Sequence, residues 1–126
     1  MKVVLVDTSI WIQHLRGDAH AAHLNALLAD GVVGTHPWVI GELALGNLGR
    51  RRPQILHDIG MLLHLPVISV QETMAMIEHH RLAGTGIGWV DAQLVASALV
   101  ADAALWTTDR RLSHVSCTLG VEFLPH

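Results

Sequence analysis

Val3-Val4-Leu5-Val6-Asp7-Thr8-Ser9-Ile10-Trp11-Ile12 stands at the start of the chain and sets its class. The β-branched run is too short for a helix, so Lys2 to Val6 reads as a buried strand. Asp7 closes it. Ile10 to Arg16 then reads as a short helix stopped by Gly17. A strand that ends on an acid and hands over to a helix is the first part of a βαβ unit.

Working outward, the alternation repeats. A helix is expected over Ala21 to Ala29, where Leu24, Leu27 and Leu28 form one stripe ahead of the Asp30-Gly31 turn. Val32 to Thr35 is a strand, and Pro37 suits the first turn of a helix reaching about Leu48. After Arg50-Arg51-Arg52 comes a helix over Pro53 to Leu63, then a strand over Pro66 to Ile68. Ser69-Val70-Gln71-Glu72 is a capping box that starts a helix fading near Leu82. The flexible loop Gly84-Thr85-Gly86-Ile87-Gly88 leads to an apolar helix over Val90 to Ala101 and a strand over Ala104 to Thr107. A short helical turn over Arg110 to Ser113 and a strand around Val121 to Phe123 finish the chain. The pattern predicts an α/β fold around a mostly parallel sheet. Without repeat or linker, residues 1–126 read as a single domain.

Composition excludes several classes. Of 126 residues 51% are hydrophobic, enough for a real core and too many for a disordered segment. The longest apolar helix candidate, Ala92 to Ala101, is about half the roughly 20 residues of a membrane span. With no signal peptide ahead of Asp7, a cytoplasmic protein without membrane attachment is expected. A net charge of −3 argues against a broadly basic nucleic-acid binder, leaving local basicity at Arg50-Arg51-Arg52 and Arg110-Arg111. The single cysteine, Cys117, excludes an internal disulfide and a multi-cysteine zinc site. Ten histidines are scattered, and neither His79-His80 nor His20 with His23 has a matching partner set, so they read as surface or satisfied core.

The acids are more informative. Glu72 belongs to the capping box, and Asp18, Asp30 and Asp102 sit beside turns or element ends. Asp7, Glu42, Asp91 and Asp109 instead lie in or beside apolar runs, where an unpaired carboxylate is expensive. Asp7 and Asp109 follow strands, and sites in parallel sheets form beyond the strands' carboxyl ends. Glu42 shares a helical stripe with Trp38, Val39 and Leu45, which predicts that it points inward. Asp91 shares one with Leu94, Val95 and Ala98. Converging, the four would repel one another unless a hard cation, Mg²⁺ or Mn²⁺, neutralised them. Each also has a plainer reading. Asp7 or Ser9 could cap the helix at Ile10, Asp91 could answer a helix dipole, Asp109 could be a turn residue, and Glu42 could bridge to an arginine.

Asp7-Thr8-Ser9-Ile10-Trp11-Ile12 resembles the opening motif of PIN domains, specifically VapC-type toxin ribonucleases. Val39-Ile40-Gly41-Glu42-Leu43 resembles the second acidic motif of that family. Trp89 to Ala98 resembles the third, and Leu105 to Leu112 the fourth. The ordered set spans essentially the whole chain. The resemblance implies a three-layer α/β/α sandwich around a central, mostly parallel sheet, and endonucleolytic cleavage of RNA. It implies a cognate antitoxin whose tail occupies the active-site groove, and it favours a homodimer. Asp7 and Asp91 match the direct metal ligands, Glu42 and Asp109 complete the catalytic acids, and Ser9 and Thr108 match supporting hydroxyls. Arg110 is a candidate phosphate contact. Many relatives carry Asp or Asn where this chain has Arg111.

The expected chemistry is metal-assisted phosphodiester hydrolysis, with Glu42 or Asp109 positioning the water or accepting its proton. A dehalogenase-like phosphatase would need an acid where Ser9 stands, and a receiver domain would need a lysine after its last strand, whereas Lys2 is the only lysine. The glycine-rich loop does not follow a strand, as a phosphate-binding fingerprint requires. The alternative of a different class is a catalytically silent PIN-like module acting through protein contacts.

Overall fold

Val4, Leu5 and Val6 form strand β1, and all three are buried, as a β-branched run flanked on both faces should be. The computed structural model describes residues 2–17 and 21–125, so the readings made for Asp18 and His20 lie outside it. The chain continues through α1 (Thr8–Leu15), α2 (Ala21–Ala29), β2 (Val33–Thr35) and α3 (Pro37–Leu45). A 3-10 turn, Gly49–Arg51, leads into α4 (Arg52–Gly60) and β3 (Leu63–His64). Then come α5 (Val70–His79), α6 (Trp89–Ala101), β4 (Ala104–Trp106) and α7 (Arg110–Thr118).

The four strands form one parallel sheet in the order β3-β2-β1-β4. Progress from β1 through β2 to β3 runs one way, and β4 returns to the other side of β1. Right-handed crossovers therefore put α1–α4 on one face and α5–α6 on the opposite face. This is the α/β/α sandwich that the motifs imply. The direction of winding reverses between β1 and β4, so their carboxyl ends open the crevice where such sheets bind ligands.

Helix α6 runs through the core with every residue from Ala92 to Ala98 buried, which explains why it is apolar apart from Asp91, Gln93 and Ser97. Within it Ser97 donates to the Pro66 carbonyl at 2.7 Å. Gln93 donates to Thr73 at 3.0 Å, so the buried amide holds α6 to α5. Gly34 in β2 lets β3 approach closely. A Cβ there would meet the side chains of Leu65 and, at 2.8 Å, Val3.

The structure moves some expected boundaries. The helix expected to reach Leu63 ends at Gly60, and Leu63–His64 pairs with β2 as the edge strand. Pro66 to Ile68 is not a strand. The last strand reduces to a single bridge between Leu105 and Glu122. Helix α7 runs on to Thr118, because Leu112, Val115 and Ser116 give it a buried face.

Candidate active site

Asp7 is the first residue past β1 and only 6% exposed. It occupies the N-cap position of α1, yet its carboxylate makes no capping bond. Its Oδ2 instead accepts the hydroxyls of Ser9 at 2.9 Å and Thr107 at 2.8 Å. Two O–H donors on one oxygen hold a carboxylate in one orientation. The capping reading of Asp7 is thus replaced by an orienting network that ties α1 to the end of β4.

That network has a second layer. Ser9 accepts the Thr108 backbone N–H at 3.1 Å, and the Thr107 hydroxyl accepts the Asp109 N–H at 3.0 Å. The supporting hydroxyl is therefore Thr107, not Thr108, which contributes its backbone instead. Strand alternation is the reason: the residue directly after β4 points to Asp7, and its successor points to solvent.

Asp109 caps α7, its Oδ1 accepting the Leu112 N–H at 2.9 Å. It lies at the end of the Thr107–Thr108 segment and is exposed. Asp91 stands in the first turn of α6, half-buried, and accepts the Gly88 N–H at 3.3 Å. Asp91 thus has the helix-terminal place that its plainer reading foresaw, whereas Asp109, read plainly as a turn residue, is a helix cap.

Glu42 differs from expectation. It is exposed rather than inward, because α3 buries Val39 and Leu43, whereas Trp38 and Leu45 face outward with it. Of the stripe's apolar members only Val39 turns to the core, and Glu42 goes with Trp38 and Leu45. Glu42 is still tethered: its Oε1 accepts the Thr8 hydroxyl at 2.8 Å. Thr8 is a site residue that sequence reasoning passed over, although it sits between Asp7 and Ser9.

Asp91 senses the other three carboxylates. Burial raises the pKa of Asp91, the Gly88 hydrogen bond opposes it, and the charges of Asp7, Asp109 and Glu42 push it further up. Among the described residues the one ion pair joins Lys2 to Asp102 at 3.1 Å, and none of the four acids has a cationic partner. Arg52 of the basic cluster is also spoken for, donating to the Ala44 carbonyl and, at 3.1 Å, to that of Gly46 at the end of α3. Arg110 is exposed. His36 caps α3, its Nδ1 accepting the Trp38 N–H at 3.1 Å, and burial lowers its pKa.

The donor set suits a hard cation. It is all oxygen, oriented by hydroxyls and without a counterion. Among the described residues no group of three or more His, Cys, Asp or Glu side chains is placed to hold a metal ion. Mg²⁺ does not need one, since it keeps several waters and binds proteins through one or two carboxylates. Beside Glu42 opens a cleft of about 560 Å³, lined by Ile12, Leu15, Leu43 and Ile55 together with Arg50 and Arg51.

Residues 4–116 match the PIN domain. The chain is 45% identical over 120 residues to Ribonuclease VapC32 from two strains of Mycobacterium tuberculosis, CDC 1551 / Oshkosh and H37Rv, covering 94% of each protein. Its fold is similar to the crystal structure of PAE2754 from Pyrobaculum aerophilum (TM-score 0.63, 20% identity, 90% of this chain and 84% of that one). It is also similar to that of FitAcB from Neisseria gonorrhoeae (TM-score 0.65, 22% identity, 91% and 94%).

Proposed function

Given that the chain belongs to the PIN-domain family, we propose that it is a metal-dependent endoribonuclease, the toxin of a toxin–antitoxin pair. One observation carries the reading: Asp91 stands within electrostatic reach of Asp7, Asp109 and Glu42 at the sheet's switch point, and none of the four has a cationic partner among the described residues. Like charges gathered without a cation are costly to hold together, and a bound divalent ion would relieve that cost. The related VapC32 is named a ribonuclease.

Asp7 and Asp91 would hold the divalent ion, Mg²⁺ or Mn²⁺. Once bound, such an ion supplies charge neutralisation at the scissile phosphate and acidification of a water. The chain's own residues do the rest. Ser9 and Thr107 fix the Asp7 carboxylate, and Thr8 fixes Glu42 at the rim. Asp109 spends Oδ1 on the α7 cap and keeps Oδ2 for the water. Glu42 or Asp109 accepts the attacking water's proton. The products would be a 5′-phosphate and a 3′-hydroxyl, with no use of the RNA's 2′-hydroxyl.

The cleft beside Glu42, apolar with Arg50 and Arg51 at its edge, suits the tail of an antitoxin carrying apolar and acidic side chains. Among the described residues no helix is long and apolar enough to cross a membrane, and toxin and RNA would meet in the cytoplasm. The exposed apolar side chains Val70 and Met74 on α5 are candidates for a homodimer face.

The test is incubation of purified protein with single-stranded RNA, with Mg²⁺ or with chelator, followed by mapping of the new 5′ ends. Cleavage should require the ion and leave 5′-phosphates, and Asp7→Asn and Asp91→Asn should each abolish it without loss of fold. Undiminished Mg²⁺-dependent cleavage by either variant would refute the assignment.

A further inference from the structure

Gly86 lies in the loop between α5 and α6 with a φ of +86°, and a Cβ placed on it would sit 2.8 Å from Cδ, 3.1 Å from Nε and 3.3 Å from Cζ of Arg111. Arg111 is in the first turn of α7, two residues past Asp109, and reaches across to the loop whose Gly88 N–H binds Asp91. Its side chain therefore bridges the segments that carry two of the four acids. Glycine suits the backbone angle there, and its missing Cβ leaves open the space in which the arginine side chain lies.

The guanidinium itself is unused. Arg111 is exposed and makes no ion pair or hydrogen bond among the described residues. Arg52 and Lys2, by contrast, are committed to carbonyls and to Asp102. An arginine that lies against this loop at Cδ, Nε and Cζ, with its terminal nitrogens unpaired between the segments carrying Asp91 and Asp109, has the donor geometry for a phosphate oxygen pair. A chain of net charge −3 has few cations to offer a polyanion, so one already held in place matters more than a mobile one.

We infer that Arg111, held against Gly86, is a substrate-positioning residue that receives a backbone phosphate of the RNA on the α6 side of the acidic crevice. This rests on the ribonuclease reading above. It also moves the phosphate contact one residue on from Arg110, which has no such support.

The test is binding without cleavage. In an Asp7→Asn background, a labelled single-stranded RNA is titrated by fluorescence anisotropy from roughly 50 to 200 mM salt. Arg111→Ala should weaken binding by about 3- to 10-fold and reduce the log–log salt slope by about 0.7, one single-strand phosphate contact. Arg111→Lys should restore the slope but not all the affinity. Gly86→Ala, with its melting curve checked, should lose affinity although Arg111 is still present. Equal losses in Arg110→Ala and Arg111→Ala, or an unchanged slope in Arg111→Ala, would overturn the inference. If the Asp7→Asn parent binds no RNA and the wild type cleaves none, the ribonuclease reading fails first. If the wild type cleaves and only Arg111 proves silent, that reading survives and this inference alone falls.

Discussion

Thr107→Val is the sharpest test of the network that orients Asp7. Valine keeps the β-branched shape and removes one oxygen, and that oxygen makes two bonds. It donates at 2.8 Å to Oδ2 of the buried Asp7, and it accepts the Asp109 N–H at 3.0 Å. A hydrogen bond to a charged group contributes about 1.5 to 3 kcal/mol and a neutral one about 0.5 to 1.5 kcal/mol. The second bond is exposed, so water replaces most of it, and the expected loss is about 2 to 3 kcal/mol. For a chain of this size each kcal/mol moves the melting temperature by about 3 to 5 °C, so a drop of about 10 °C should appear in chelator. Thr107→Ser should recover most of it, and Thr108→Val should be nearly silent because that residue works through its backbone. Circular dichroism melts of the three variants, with RNA cleavage alongside, decide the matter. A Thr107→Val melt within about 1 °C of wild type, or a Thr108→Val loss as large as that of Thr107→Val, would refute the reasoning.

Asp91→Asn should raise the metal-free melting temperature near neutral pH. The folded-state pKa of Asp91 is raised, so its contribution to stability is present below the ordinary aspartate range and lost as pH rises through the raised value. The gap between variant and wild type in chelator should therefore close as the medium is acidified, and a gap that widens toward acid would contradict the sign. Mg²⁺ at about a hundredfold excess over its dissociation constant should stabilise the wild type by about 2.7 kcal/mol. The same titration of Asp7→Asn should show no shift, and an equal shift would move the ion elsewhere. Gly34→Ala should destabilise by about 1 to 3 kcal/mol, since its Cβ would overlap Leu65 and Val3. Urea midpoints at unchanged m-value measure this, and an unperturbed midpoint would mean that β3 can move away freely.

What the sequence revealed and what it hid have physical causes. Strands β1, β2 and β4 and helix α6 were legible because buried runs must be apolar on every side, and such runs are conspicuous between polar segments. β3 was not, because a two-residue edge strand with both residues exposed leaves no hydrophobic period to read. α7 was underestimated because Arg110-Arg111 and Ser113-His114 dilute a stripe of only Leu112 and Val115. At the site, Asp7 and Asp109 follow from the rule about strand carboxyl ends. The inward direction assigned to Glu42 failed because a stripe at spacings of three and four gives the spacing of a face, not which face the core takes. Trp38 and Leu45 were counted as core, and both are exposed. Thr107 was hidden by parity, since one residue decides whether a side chain after a strand turns to the crevice or to water. Arg111 was hidden more deeply. Its place depends on a glycine 25 positions earlier, and no periodicity links a helix's first turn to a distant loop. Asp7 could be found in one dimension because burying charge is costly wherever it happens, whereas the exposed Glu42 and Asp109 stood out only by lying in or beside apolar runs. The groups that aim them are cheap, common hydroxyls and backbone amides, and only their convergence in space sets them apart from every other serine and threonine in the chain.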